Sequence, residues 1–324
     1  MRSFLALLAD VVSGLAVVFA SLATAAALAA QAGRVSPLLD LIGQFALALF
    51  AAGLVALAAG LIAARWARGS LIVLGLLTVA SSGVLIAPEL TRDTGPSAPA
   101  NVPGQIKIIQ FNTLFSNADI GPIVDWVIAQ HPDIVTTQET RHDLRDALVA
   151  RTGWRVAGAA GDLMIFSREP RLRMNRPTLP RGTQLHWVNA TYPSASGPFE
   201  LITVHLDWPV GPAQAVQWTR LAELAHRLPS ERMIITGDFN STPFAFAMRR
   251  GEHPIGLPRR DRALATFPAK WLADGPIRSP IPFLPIDHVY AGPGWATVSV
   301  ERGPSGLGSD HNPVVVTLAP VARR

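Results

Sequence analysis

The 324-residue sequence predicts a mixed α+β sandwich that follows three membrane-spanning helices. The first 88 residues hold three long apolar runs. The remainder breaks into many short β-rich runs, several of them with no helix between, which fits a pure doubly wound parallel sheet poorly. A stretch rich in Pro, Ser, Gly and Ala separates the two parts.

Phe4 to Ala30 carries one charge, Asp10, whereas 41–64 and 71–88 carry none. Each run is at or near the roughly 20 residues needed to cross a bilayer. A cleaved signal peptide is the alternative for the first run, since small residues from Ala23 to Ala30 could offer a cleavage site. Its apolar stretch is too long for that, and two further runs follow directly. Soluble core helices fit poorly as well, because the runs are apolar all round. Arg2, Arg65 and Arg68 fall on one side of the spans and Arg34 and Arg92 on the other. The positive-inside rule then places the amino terminus in the cytoplasm and the chain after the third span outside, as in a multi-pass protein of a bacterial-type inner (plasma) membrane. Asp10 is expected near the interface or against another helix. Residues 1–88 thus form a membrane region, 89–104 a Pro-rich tether and 105–324 a separate folded domain.

Net charge is +5, and no cluster of Lys or Arg reads as a nucleic-acid arm or a polybasic lipid patch. Cysteine is absent, which excludes disulfides, thiolate zinc sites and a Cys nucleophile. A metal would have to be held by Asp, Glu, Asn or His, a donor set suited to Mg²⁺ or Mn²⁺.

Beyond the tether, β-rich runs are expected at 106–111, 134–137, 163–167, 185–191, 200–205, 233–236, 286–290, 296–301 and 313–318, and helices at 120–130, 144–151 and 212–228. Polar residues recur where these strands end or begin. Asn112 ends the first and Gln138-Glu139 the second; His205 and Asp238-Phe239-Asn240 end later ones. Asp287-His288 falls within another, and Ser309-Asp310-His311 precedes the last. Taken singly, each is more simply a turn former, a helix cap or a hydrogen-bonded structural residue. As an ordered set of polar groups on successive strand ends, they point to one site at an edge of a layered fold.

Six segments carry a resemblance to the endonuclease/exonuclease/phosphatase (DNase I-like) superfamily. They are IKIIQFNTLF (106–115), DIVTTQET (133–140), LITVHLDWP (201–209), IITGDFNSTP (234–243), IDHVYA (286–291) and GSDHNPVVVTL (308–318). GDFNSTP and SDHNPV are the most specific, and together the segments cover nearly all of 105–320. The resemblance implies a four-layer α/β/β/α sandwich that uses Mg²⁺ or Mn²⁺. It implies Glu139 as a metal carboxylate with Asn112 beside it, and Asp310 as a further metal or supporting ligand. It also implies Asp238 as the group that orients and deprotonates the attacking water, and Asn240 as the amide that positions nucleophile or phosphate. His311 is then a phosphate-holding histidine fixed by Asp287, and His205 a second histidine near the leaving group. The chain departs from the pattern at Leu114, where some members carry an acidic ligand, and at His288, where a tyrosine or apolar residue is common. Lys107 and the histidines outside the motifs, His131, His142, His186, His226 and His253, read as surface or structural residues.

The implied activity is a membrane-anchored, metal-dependent phosphoester hydrolase of phosphodiesterase or nuclease type. Its partners are the bilayer and a phosphoester, either nucleic acid or lipid headgroup. The alternative substrate is a phospholipid or sphingomyelin headgroup. A non-catalytic membrane scaffold predicts an eroded site, yet every residue of the set is present. A transporter would need paired intramembrane charges and more helices than this sequence offers.

Overall fold

The computed structural model describes residues 4–159, 161–174, 184–269 and 281–321. Within these, the chain divides into two compact units. The first comprises Met1–Arg92 with Pro243–Arg249, and the second Asp93–Thr242 with Arg250–Arg324.

In the first unit, α1 (Phe4–Gln31), α2 (Pro37–Gly43), α3 (Ala46–Ile62) and α4 (Arg65–Thr91) pack together. Two helices are long and apolar enough to cross a membrane, one over Phe4–Arg34 and one over Arg65–Thr91; α2 and α3, bent by 59° at their junction, make a third if read as one span. Small residues let α3 and α4 approach closely: a Cβ on Gly53 would lie 2.9 Å from the Val79 backbone nitrogen, and one on Gly75 at the same distance from that of Leu57. Hydroxyls bond across helices, as where Thr24 meets Thr78 at 2.8 Å. Asp10 faces another helix, as expected, and accepts a 3.0 Å bond from the Trp66 indole at the start of α4. Asp40, almost fully buried, accepts from the backbone N–H groups of Phe246 and Ala247 at 2.8 and 2.7 Å. These two residues open the short helix α8 (Phe246–Glu252), so Asp40 satisfies donors that the helix itself leaves unpaired. Arg34 and Arg249 lie over the Phe246 ring, with guanidinium carbons 5.3 and 5.7 Å from its centre.

The second unit is built on two sheets. The strands of the first are β1 (Ile106–Asn112), β2 (Ile134–Gln138), β3 (Arg155–Gly158), β4 (Met164–Ser167), β10 (Trp295–Arg302) and β11 (Val314–Pro320), in the order β10-β11-β1-β2-β4-β3. Those of the second are β5 (Arg173–Met174), β6 (His186–Tyr192), β7 (Phe199–His205), β8 (Met233–Asp238) and β9 (Asp287–Ala291), in sequential order. Alternation along each strand sends one set of side chains between the sheets. Ile106, Ile108, Val316 and Leu318 from one sheet meet Leu201, Ile234, Val289 and Ala291 from the other in a single core. The opposite set, with Ile109, Phe111 and Val135, packs under α5 (Gly121–Ala129) and α6 (His142–Thr152). Helix α7 (Ala213–His226) reaches the outer side of the second sheet through Trp218, which stacks on Phe239, itself against Tyr290.

Trp295 anchors the inter-sheet core. It is fully buried, edge-on to Phe199 at 5.5 Å and covered by the Arg232 guanidinium at 4.5 Å. Trp295→Ala should destabilise the second unit by about 3–5 kcal/mol, because removed contacts and a residual cavity add together. Chemical denaturation of the detergent-purified chain, followed by aromatic circular dichroism, measures the loss.

The Pro-rich segment read as a tether pairs locally with the first sheet. Helix α4 continues through Pro88 to Thr91, and Ser97 forms a bridge to Thr297 of β10. Thr297 donates to the Pro96 carbonyl at 2.8 Å and Ala98 donates back to Thr297 at 2.9 Å.

Candidate active site

Register alone assembles most of the site. β1 and β2 run parallel with Asn112 opposite Gln138, so Glu139 emerges one residue further along the same edge. β7 and β8 run parallel with His205 opposite Asp238, and antiparallel β9 places Asp287 opposite Asp238 on the other side. The Ser309-Asp310-His311 turn enters ahead of β11, where Ser309 donates to the Asn112 carbonyl at 2.7 Å and accepts from the His311 N–H at 3.0 Å.

The two sheets meet through Asn112. Its amide nitrogen donates to Glu139 Oε1 and to Asp238 Oδ2, both at 3.0 Å, while its oxygen accepts from the Leu114 N–H. Asn112 therefore presents N–H groups to two carboxylates and ties them together. Glu139 Oε2 accepts from the Phe115 N–H at 3.0 Å. Asp238 Oδ1 accepts from the Asn240 N–H at 2.8 Å, and the Asn240 amide donates to the Leu206 carbonyl at 2.8 Å. Leu114, Glu139 and Asn240 all hold a positive φ, at 60°, 53° and 47°. Such backbone costs on the order of 1 kcal/mol per residue and persists where surrounding bonds over-determine it.

Around Asp238 stand two histidines, His205 with Nε2 at 3.7 Å and His311 with Nε2 at 3.6 Å from Oδ2. His311 Nδ1 lies 2.8 Å from Asp287 Oδ2. Asp287 is itself held by Gln110 at 2.7 Å and Thr266 at 2.5 Å. Burial works against a charged ring at both histidines, but the surrounding carboxylates outweigh it. For His311 these are Asp287, Asp238 and Asp310, which raise it to about 10. For His205 they are Asp162, Asp238 and Glu139, which raise it to about 9. Both are thus held above the ordinary histidine value, with Nε2 of each facing Asp238. Burial raises Asp238 and Asp310 above the usual carboxylate range, and the charge of His311 opposes the rise at each.

Glu139, His205, Asp238, Asn240, Asp310 and His311 line one cavity of about 910 Å³; Asn112 and Asp287 stand directly behind them. His288 does not reach it. Its ring is fully buried and bonded elsewhere. Lys107 donates to the Gln130 carbonyl at 2.7 Å, at the end of α5 and away from these groups.

Three supporting residues were not visible in the sequence. Gln110 points inward from mid-strand, and Thr266 sits in a loop with no regular period, so neither carries a strand-end signal. Asp162 precedes β4 rather than ending a strand, yet its carboxylate lies 3.3 Å from His205 Nδ1 and 2.6 Å from His186 Nδ1. It thereby turns His205 Nε2 toward Asp238. His186, read as a surface or structural residue, belongs to the cavity wall.

Asp238, Asp287 and His311 bring possible ligand atoms within 4.8 Å of one another. Asp287 already accepts three hydrogen bonds, and one of its donors is His311, so these two form a bonded pair more than an open cation seat. The donor set nearer the cavity suits a hard cation better. Glu139, Asp162, Asp207, Asp238 and Asp310 all line it, and none of its described lining residues is Lys or Arg. That concentration of carboxylate oxygens suits a hard cation.

Buried acid–histidine pairs thus lie together at one edge of a two-sheet α/β fold. The profile of the Endonuclease/Exonuclease/phosphatase family matches residues 109–311, and the chain belongs to that family. No curated protein matches it. Solved structures share the fold at low identity. An endonuclease/exonuclease/phosphatase family protein from Bacteroides thetaiotaomicron is 18% identical, with a TM-score of 0.51 over 66% of this chain and 94% of the other. Human Nocturnin's catalytic domain is 19% identical, with 0.52 over 72% and 99%. Danio rerio TDP2, complexed with a single-strand DNA product, is 16% identical, with 0.53 over 66% and 99%.

Proposed function

We propose that this protein is a membrane-anchored, divalent-metal-dependent phosphoester hydrolase. The observation that supports the reading most is the convergence of Glu139 and Asp238 on one amide, Asn112, at 3.0 Å each, between two cationic histidines. Glu139 and Asp310 would hold Mg²⁺ or Mn²⁺, with Asp238 close by. When bound, the ion neutralises charge on the phosphate and stabilises the leaving oxygen. Asp238 orients the attacking water and takes its proton, a task suited to a carboxylate raised by burial. Asn240, fixed by the Leu206 carbonyl, keeps the Asp238 carboxylate in line. His311, held by Asp287, and His205, held by Asp162, donate to phosphate oxygens as charge builds.

Three spans of the membrane, with the catalytic unit on the extracytoplasmic side, complete the proposal. For the substrate, Danio rerio TDP2 with its single-strand DNA product supports a nucleic acid. A phospholipid or sphingomyelin headgroup has support of its own, because Trp208 and Val210 line the cavity with 47% and 77% of their surface exposed. A non-catalytic scaffold is disfavoured by the completeness of the hydrogen-bonded site.

The test is turnover by the detergent-purified full chain on bis(p-nitrophenyl) phosphate, a single-stranded oligonucleotide and sphingomyelin vesicles. EDTA should lower the rate at least ~100-fold, and added Mg²⁺ or Mn²⁺ should restore it. Turnover indifferent to EDTA refutes the metal-dependent reading. Protease access to the catalytic unit in intact cells reads the orientation, and protection there reverses it.

A further inference from the structure

His288 follows Asp287 in β9 but points away from the cavity, and its surroundings specify what it does. Nδ1 lies 2.8 Å from Asp261 Oδ2, and Nε2 lies 3.0 Å from the backbone carbonyl of Ser241. A carboxylate and a carbonyl can only accept, so both ring nitrogens donate. The ring is therefore fixed from both sides, with one nitrogen on Asp261 and the other on the Ser241 carbonyl. Ser241 follows Asn240, whose φ of 47° is one of the strained angles in the site.

We propose that His288, held by Asp261, is a positioning residue that clamps the Asp238–Ser241 turn from the side opposite the cavity, a role that rests on the hydrolytic reading of the site. The turn has little regular structure of its own, since β8 ends at Asp238. Other bonds hold it along its length: Phe239 donates to Ile286 at 2.9 Å, and Gln214 donates to the Phe239 carbonyl at 3.0 Å. His288 supplies the hold on Ser241, and its ring also packs on Phe239 at 5.6 Å. Without it, the left-handed Asn240 loses a restraint, and the N–H that fixes Asp238 Oδ1 is free to drift.

The clamp is itself anchored. Asp261 is completely buried and accepts from the Val289 N–H at 2.9 Å and from Arg259 at 3.2 Å, besides His288. Burial would raise its carboxyl, but the charges of His288 and Arg259 and these hydrogen bonds hold it well below the usual range. Arg259 also meets Glu252 at 3.1 Å, which accepts from the Tyr290 hydroxyl. Asp261, Arg259, His288 and Glu252 thus form one connected network. A half-broken network of this kind is costly, so the pairing is well determined.

His288→Phe keeps the ring volume and the contact with Phe239 while removing both donors. In the full chain, kcat on bis(p-nitrophenyl) phosphate with Mg²⁺ should fall about 10- to 100-fold with KM within about twofold, since the turn acts on the reacting geometry more than on binding. The double variant His288→Gln, Asp261→Asn places two neutral amides in line toward Ser241 and should recover several-fold of the lost kcat. Hydrogen exchange of residues 239–242 should quicken at least ~10-fold in His288→Phe, with β1 and β11 unchanged. A folded His288→Phe protein with wild-type kcat overturns the proposal. If that variant does not fold, exchange in the unmodified protein decides: protection of 239–241 equal to that of β8 is expected, and exchange as fast as in the exposed 194–197 turn overturns it. A wild-type protein that turns over no phosphoester sinks the hydrolytic reading, while the exchange measurements still judge the clamp.

Discussion

Replacing Asp238 with Asn is expected to lower kcat by about 10³-fold, the middle of the range for loss of a positioned general base. The substitution is almost isosteric, and Asp238 is buried between two sheets, so the fold should survive it. Two hydrogen bonds and two histidine contacts explain why so small a change has so large an effect. Oδ2 accepts from Asn112 and stands opposite both histidines, while Oδ1 accepts from the Asn240 N–H. An amide in this place offers one oxygen instead of two, directs N–H groups at donors and cannot take a proton from water. KM should change little, because the loss falls on the transition state. Steady-state kinetics with Mg²⁺ in excess measure the effect, and a fall smaller than about tenfold would show that another group activates the water.

Glu139→Ala carries the second large effect, and its signature differs. Glu139 joins the Asn112 amide to the Phe115 N–H, so its removal takes one acceptor from each as well as a carboxylate that faces the cavity. The Mg²⁺ concentration for half-maximal rate should rise at least ~100-fold, beyond what loss of a supporting bond causes. Part of the rate should return at high Mg²⁺. A metal titration of rate for both proteins gives the comparison. An unchanged half-saturating concentration would place the ion elsewhere, with the Asp287 and His311 cluster the next candidate.

How much of this was legible in the sequence depended on where each group sits. Strand-end residues announce themselves because an apolar run stops abruptly at a polar side chain, and Asn112, Glu139, His205 and Asp238 follow that rule. Element limits such as Ala213–His226, expected at 212–228, were found for the same reason: a period of 3.6 ends visibly. The supporting layer follows no such rule. Gln110 looks like one more residue of β1 until register and burial aim it at Asp287. Asp162 and His205 are 43 residues apart, and no local pattern links a residue before one strand to the end of another. His288 was visible as an oddity, but its partner Asp261 lies in an irregular loop that no periodicity marks. The pairing of the Pro-rich segment was hidden for a related reason. Pro and Gly mark irregular chain, but they do not exclude pairing along a sheet edge, which is where Ser97 lies.

Because Asp40 receives Phe246 and Ala247, the N-terminal helices own a short piece of chain that begins just beyond the GDFNST turn. Clipping the backbone near residue 92 would therefore not amount to shedding. The severed helices would still grip seven residues, Pro243 to Arg249, with covalent continuations at both ends. A soluble version made by starting the chain at residue 93 would leave Phe246 stripped of Arg34 and the opening of α8 stripped of its carboxylate.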